Sequence, residues 1–588
     1  MINDTQYVYD KGVKVLTKKR KRSKYLTNLK TCKTFKYKFI TMDLETKEIN
    51  GTLIPYCVSI FDGDQAYSFY ITDYESSDEM LKTSLKFVLK RKYNEYKIYL
   101  HNFSYFDGIF LMKIISDLVS SNNIIPVIRD NRIINLRVEF LPENTKNTKR
   151  KYYVEFRDSY LLLTTSLDKL GKTFAINEGK LEQKLPFPYR FVNEPNIDYN
   201  YEGNVPEFSY YDKINEMEYN QLILNLKSEG KDLARWNLKK ETINYCEQDC
   251  KTLYYSILEF GKLIYLQFNV DISKTPTVSS LAFRIYRVKF LDQNNNISIL
   301  NGLIYDFIYQ SYYGGHVDAY IPKGENIKAY DVNSLYPTSM YRNTIPVGNP
   351  YYFERDLDYF NKVNFNYPTE KVLNGDSKNK IPSKTIYSYL NEILNKEKTS
   401  DFIKSIKLFL NLDNNNGVLC NKNNLPYGFF EVTLETPPKD EWNEPILLKK
   451  HKTKFGGFRT IAPVGKWKGV YFSEELYNAK DKNSNHKFKI NCGFLFRSDY
   501  IFKDYVEVLY KIKEQNDKNS PLYTISKLLL NSLYGRFGMK PDIDQHIIYD
   551  LNNSDIDELF INKKVDIIAE FKGSKQLLSI KNKNLIQN

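Results

Sequence analysis

Phe39-Ile40-Thr41-Met42-Asp43-Leu44-Glu45-Thr46 is the stretch on which the reading of the fold turns. Apolar and polar side chains alternate along it, the pattern of a strand with one buried face. Ile40, Met42 and Leu44 fall on one face and can pack into a core, while Asp43 and Glu45 fall together on the other. Two carboxylates side by side repel, by up to about 4 kcal/mol at close range near a surface. A divalent cation removes that cost and supplies a reason for the pair. Alone, the pattern also fits a strand with a solvent-facing acidic side.

Two further stretches extend the pattern. In Tyr99-Leu100-His101-Asn102-Phe103-Ser104-Tyr105-Phe106-Asp107-Gly108, Asn102 and Asp107 bracket an aromatic turn that leads into an apolar helix start. An Asp helix cap followed by Gly reads the same way. In Asn244-Tyr245-Cys246-Glu247-Gln248-Asp249, within a helical stretch around Thr242 to Phe260, Tyr245 and Asp249 are four apart and share a face. An amphipathic helix with exposed acids is the plainer alternative.

Composition adds less. The chain of 588 residues has room for roughly two to four domains. Its net charge of +14 favours a polyanionic partner such as nucleic acid. The same excess of Lys, with Asn, Ile, Tyr and Phe, also follows from AT-rich codons, so the motifs must carry the argument. No unbroken apolar run is long enough for a membrane span and no secretory leader is visible. Cys32, Cys57, Cys246, Cys250, Cys420 and Cys492 form no CxxC pair, so neither structural zinc nor a disulfide framework is expected. Residues 1–37, with Lys18-Lys19-Arg20-Lys21-Arg22, read as a flexible basic arm.

DxE on a strand, then N-x4-D, then Y-x3-D on a helix, in that order, resemble the three exonuclease motifs of family B DNA polymerases. The resemblance implies that Asp43, Glu45, Asp107 and Asp249 are the metal carboxylates, that Tyr245 orients the attacking water, and that Asn102 contacts the primer end. It implies two-metal chemistry with Mg2+ or Mn2+. It also implies that Ser166 and Leu167, and Lys184 and Phe187 in Lys184-Leu185-Pro186-Phe187-Pro188-Tyr189, hold the frayed primer. Aromatics that stack on bases and a Lys for phosphate suit that role, although a surface loop with a Pro turn fits too.

Three polymerase elements follow. Tyr312-Tyr313-Gly314-Gly315 resembles the YxGG element between the two activities, which implies DNA contacts at Tyr312, Gly314 and Gly315; His316 stands where the family often has Arg. Asp331-Val332-Asn333-Ser334-Leu335-Tyr336-Pro337 resembles motif A. Asp331 is expected to end a strand and, with Val332, to bind the catalytic metals. Ser334 and Leu335 would offer backbone amides to a triphosphate, and Tyr336 would exclude a 2′-hydroxyl by bulk. Lys527-Leu528-Leu529-Leu530-Asn531-Ser532-Leu533-Tyr534-Gly535 resembles motif B, with Lys527, Asn531 and Tyr534 on one helical face for the nucleotide.

The long gap between motifs A and B, holding the basic run Lys449 to Lys454 and Gly465 to Phe472, resembles the region in which protein-primed members carry an insertion for terminal protein and template. Tyr-rich composition together with the SLYP and YxGG elements favours resemblance to the branch found in Bacillus phages, adenoviruses and linear plasmids of fungal or plant mitochondria, and the codon bias favours the mitochondrial plasmid. The resemblance implies an α/β and α+β multidomain fold. Its parts would be a ribonuclease H-like 3′–5′ exonuclease domain over 38–265 and a partial palm and fingers region over 266–588, with an insertion at about 350–500. Motif C and the thumb are not found. Asp550, Asp555 and Asp557 occur in a stretch without the apolar strands of a palm hairpin, so little nucleotide addition by this chain alone is expected. The implied partners are template and primer DNA, dNTP and a separate terminal protein, with a monomer and no membrane. A nuclease alone, or an inactive DNA-binding remnant, are the rival readings.

Overall fold

The strand that carries Asp43 forms and continues to Ile49. The computed structural model describes residues 5–10, 13–18, 25–35, 37–142, 151–176, 186–212, 214–228, 230, 232–317, 322–354, 427–436, 447–454, 458–482, 486–539, 544–551, 564–571 and 575–581. The chain divides into two compact units, Lys30–Lys289 with Leu509–Asn588, and Met1–Leu29 with Phe290–Val508.

The first unit is built on a seven-stranded mixed sheet. Its strands are β1 (Phe39–Ile49), β2 (Thr52–Phe61), β3 (Ala66–Tyr70), β4 (Lys97–Leu100), β5 (Ile124–Arg129), β6 (Arg132–Phe140) and β7 (Tyr152–Asp158), in the order β3-β2-β1-β4-β7-β6-β5. β1, β4 and β7 run parallel and the outer strands pair antiparallel. The β1–β2 hairpin turns on Asn50-Gly51, with φ of 51° and 75°. Such a pair makes the type I′ turn whose twist matches that of the strands. It sets the pairing of Thr46–Ile49 with Thr52–Pro55, and a one-residue bulge at Tyr56 then puts Glu45 opposite Cys57 and Asp43 opposite Ser59.

The alternation in β1 then divides the unit into layers. Ile40, Met42 and Leu44 pack with Met80, Leu81, Leu85 and Val88 of helix α1 (Ser77–Val88) and Leu111, Met112, Ile114 and Ile115 of helix α2 (Asp107–Leu118). Helix α3 (Leu238–Phe268) covers the other face. Its start is capped by Asn237, whose side chain accepts from the Lys240 N–H. Thr41, on the carboxylate face of β1, donates to the Cys250 carbonyl of α3 at 2.8 Å. A Cβ on Gly261 would lie 2.2 Å from the ring of Tyr37, whose hydroxyl donates to the Gly261 carbonyl. That glycine lets the segment before β1 lie directly on α3.

Residues from the end of the chain join this unit. The helix Pro521–Phe537 packs on the helix Val278–Ile285, with Phe537 against Phe283 and Tyr286. The strand Gln545–Asp550 pairs with Lys575–Lys581, which pairs with Lys564–Phe571, and Ile548 and Leu577 enter the core cluster of the main sheet. The expected boundary at 265/266 therefore does not coincide with the division into units. Asp550 ends a strand whose neighbours Ile548 and Tyr549 are buried, contrary to the reading that this stretch lacks apolar strands. Asp555 and Asp557 lie outside the described residues.

In the second unit, the strands Ile345–Glu354, Lys487–Asp499, Gly428–Glu435 and Lys466–Phe472 form an antiparallel sheet in that order. Ile304 of the helix Gly302–Tyr309 packs with Tyr427, Phe494 and Phe496. Three of the four strands come from the region read as an insertion, so that region supplies core here. Trp467 and Tyr471 are buried, with the indole N–H donating to the Tyr471 hydroxyl. Much of the expected insertion, 355–426, lies outside the described residues. Among the described residues no helix is long and apolar enough to cross a membrane.

Gly261→Ala is expected to cost about 1–3 kcal/mol in urea unfolding, since the added methyl must displace the Tyr37 ring. In a Tyr37→Ala background the same change is expected to cost clearly less, with only the Ile272 methyl, 3.0 Å from the added Cβ, left to give way; an equal cost in both backgrounds would refute the contact.

Candidate metal-dependent active site

Among the described residues, one group of potential metal ligands brings its donor atoms within 4.8 Å of one another: Asp43, Glu45 and Cys246. β1 supplies the two carboxylates from alternate positions and α3 supplies the thiol. Cys246 Sγ lies 3.5 Å from the Asp43 carbonyl oxygen and 3.9 Å from Asp43 Oδ2. Burial pushes the Asp43 carboxyl well up, and Cys246, Asp249, Glu45 and Asp107 add to it in that order. The expected carboxylates Asp107 and Asp249 are thus electrostatic neighbours of Asp43, while the tightest trio holds a thiol that the sequence reading did not select.

Asp107 opens α2 and is 1 % exposed. Its carboxyl is pushed up to about 8, chiefly by burial, with Asp158 and Cys246 adding to the effect. Asp107 Oδ2 is buried without a hydrogen-bond partner among the described residues. A buried carboxylate oxygen left unmet costs free energy, and a divalent cation would meet it. The carboxylate donors by themselves suit a hard divalent cation, which takes carboxylate oxygen.

The loop between β4 and α2 is held by a carboxylate that the sequence reading gave no role. Asp158, at the end of β7, accepts from the backbone N–H of Asn102 at 3.0 Å, Ser104 at 2.9 Å and Tyr160 at 2.8 Å. Asn102 itself is exposed with φ 72°, a left-handed conformation that Asn adopts more readily than most residues. His101 links this loop to the next. Its Nε2 lies 2.9 Å from the Thr165 carbonyl and its Nδ1 3.0 Å from Ser159 Oγ. A carbonyl only accepts, so Nε2 carries the proton, and burial lowers the His101 pKa, which keeps the ring neutral. The pinned turn leads to Ser166, exposed, which caps the helix Leu167–Leu170.

Tyr245, on α3, meets the Tyr189 hydroxyl at 2.5 Å and packs against Phe187 with ring centroids 4.8 Å apart. Burial, then Asp249 and Tyr189, hold the Tyr245 hydroxyl far above its usual pKa, so it stays a proton donor. Phe187 is 6 % exposed and belongs to the core cluster of Tyr56, Trp236 and Cys246. Its ring supports Tyr245 here rather than offering a face to a base. Lys184 lies outside the described residues.

The polymerase motifs are divided between the units. In the second unit Asp331 and Val332 are exposed and in no strand. This corrects the expectation that Asp331 ends a strand: no described strand lies beside residues 327–333 to complete a ladder. Ser334 has φ 52° and leads the helix Leu335–Arg342, on which Leu335 and Tyr336 are exposed. A Cβ on Gly315 would lie 3.8 Å from the Tyr336 hydroxyl, so the YxGG turn reaches motif A, while Tyr312 and Gly314 stay exposed. In the first unit the helix Pro521–Phe537 buries Ile525, Leu529, Leu530 and Leu533 and leaves Lys527, Asn531 and Tyr534 exposed together, the shared face read from their spacing.

A family model described as DNA polymerase type B, organellar and viral, matches residues 88–402 and 410–585. The chain belongs to this family. It is 32% identical to a "Probable DNA polymerase" of Neurospora intermedia, over 98% of this chain and 54% of that protein. It is also 32% identical to a "Probable DNA polymerase" of Ascobolus immersus, over 92% of this chain and 38% of that one. The chain thus spans about half, or less, of the length of these family members. A solved structure of phi29 DNA polymerase with primer-template DNA and incoming nucleotide substrates matches with a TM-score of 0.52 at 15% identity, covering 88% of this chain and 71% of that chain. That likeness supports the multidomain α/β polymerase fold.

Asp158→Asn is expected to destabilise the first unit by about 2–3 kcal/mol, because charge-assisted bonds to three backbone donors, one of them buried, are weakened. Hydrogen exchange at Asn102, Ser104 and Tyr160 should quicken selectively. Asp78→Asn, in the half-exposed pair with Lys113, should cost less than about 1 kcal/mol. Equal costs for the two variants would contradict the anchoring role.

Proposed function

We propose that this polymerase-family chain carries a 3′–5′ proofreading exonuclease in its first unit and contributes motifs A and B to template-directed DNA synthesis by the whole protein. The observation that carries the nuclease reading is the convergence of Asp43 and Glu45 of β1 with α3, beside the orphaned buried oxygen of Asp107. Bound divalent cations, Mg2+ or Mn2+, would supply charge neutralisation and an activated water. Asp43, Glu45, Asp107 and Asp249 would hold them.

The chain's other residues position the strand. Asn102, on the loop anchored by Asp158, is exposed and able to reach a primer terminus. Ser166 and Leu167 follow the turn pinned by His101 and offer a second contact for unpaired nucleotides. Tyr189 fixes the hydroxyl of Tyr245, which as a retained donor is suited to orient the attacking water beside the scissile phosphate.

For synthesis, Asp331 would supply a metal carboxylate with the Val332 carbonyl, Tyr336 would meet the incoming sugar, and Lys527, Asn531 and Tyr534 would face the nucleotide. Priming by a separate terminal protein, replication of a linear plasmid and a mitochondrial location complete the proposal, supported by membership of the organellar and viral type B family. A monomer that engages DNA and dNTP is the working form.

Primer degradation and primer extension assayed together test this reading. With Mg2+ or Mn2+ the chain is expected to shorten single-stranded primer, and Asp43→Ala to reduce that by at least about a hundredfold without changing DNA retention. Extension by a polypeptide of the full family length should vanish with Asp331→Ala while shortening persists. DNA retention with neither activity would support an inactive DNA-binding remnant instead.

A further inference from the structure

The cysteines, scattered in sequence, do not stay apart. Cys57, Cys246 and Cys250 are all fully buried on the α3 side of the sheet. Cys57 stands opposite Glu45, and Cys250 Sγ donates to the Ser59 carbonyl at 3.2 Å. Cys246 brings its sulfur within 4.8 Å of donor oxygens of both Asp43 and Glu45. Asp107, whose Oδ2 is buried without a partner among the described residues, lies close enough to act electrostatically on both Asp43 and Cys246.

A site of oxygen donors alone suits hard cations. One thiolate changes the preference, because soft sulfur favours Zn2+, Co2+ and Cd2+ over Mg2+. Bonds of about 2.0–2.3 Å in a tetrahedral set place donor atoms about 3.5 Å apart. The Cys246–Asp43 pair is at 3.9 Å and all donor atoms of the trio lie within 4.8 Å, so closure asks for side-chain movements on the order of 1 Å.

We propose that Cys246 is a metal ligand of this site, and that a thiophilic divalent cation binds to Asp43, Glu45 and Cys246, with Asp107 Oδ2 as a further oxygen donor. As the metal–sulfur bond forms, the thiol proton passes to solvent and the metal–thiolate bond replaces S–H. Such an ion competes with the Mg2+ or Mn2+ of the nuclease reading; only that competition rests on the nuclease reading, and the binding site does not.

Cobalt titration of the full chain tests this by absorbance. A sulfur-to-cobalt charge-transfer band in the near ultraviolet is expected, abolished by Cys246→Ser and kept by Cys32→Ser and Cys492→Ser. Cadmium NMR of the unmodified chain gives a readout that needs no variant to fold: a signal in the sulfur-ligated range supports the site, and one in the all-oxygen range overturns it. Cadmium should also inhibit Mn2+-dependent primer shortening, at least about tenfold less potently in Cys246→Ser. Absence of the cobalt band, or a band unchanged in Cys246→Ser, overturns the proposal whether or not the chain degrades DNA. A Cys246-dependent band without any degradation supports it and removes the nuclease reading.

Discussion

The alternation of β1 between apolar and acidic side chains is the constraint on which the first unit depends. Ile40, Met42 and Leu44 must go inward against α1 and α2, and the two-residue period then sends Thr41, Asp43 and Glu45 to α3. The Asn50-Gly51 turn and the bulge at Tyr56 together set the pairing of β1 with β2, and a slip of β1 by one residue would exchange its two faces, setting acids against α1 and α2. Packing and site are therefore one arrangement read from two faces of a strand. Hydrophobic burial on one side stabilises the placement of like charges on the other.

That placement is costly in the absence of a cation. Asp43 is pushed up by burial and by its acidic neighbours, Asp107 is pushed up to about 8, and one Asp107 oxygen has no described partner. Elsewhere in the same unit, described carboxylates find protein partners. Asp158 accepts three backbone donors, and the half-buried pair Lys97–Glu155 is joined by Arg157. The contrast sets the candidate site apart from ordinary structural ion pairs. It also explains why the loops around it are anchored indirectly, through Asp158 and His101, by groups that do not compete for a cation.

Much of this was legible in the sequence. The strand at Phe39, the helix carrying Tyr245 and Asp249, and the shared exposed face of Lys527, Asn531 and Tyr534 follow from periods of two and of about three and a half residues. The Asn50-Gly51 pair was an available hairpin signal that went unused. Asp158 and His101 were not legible, because their partners, backbone groups and the Ser159 hydroxyl, are brought near only by the parallel pairing of β4 with β7. Cys246 was overlooked because its meaning depends on the rotation of α3 over β1, which no local pattern states. The strand expected before Asp331 is missing for a related reason: strand propensity is realised only where a neighbour completes the ladder. The strands between Gly428 and Asp499, taken for an insertion, show that loop-like composition around a segment does not make the segment peripheral.

Thermal unfolding of the first unit with and without Mn2+, compared between the unmodified chain and Asp43→Asn, bears most directly on the central claim. Removing the cost of burying an acid there, and with it the repulsion from neighbouring acids, should make Asp43→Asn the more stable protein without cation, and Mn2+ should raise the Tm of the unmodified chain far more than that of the variant. An unmodified chain indifferent to Mn2+, or a variant that is less stable without cation and gains equally from it, would contradict the account.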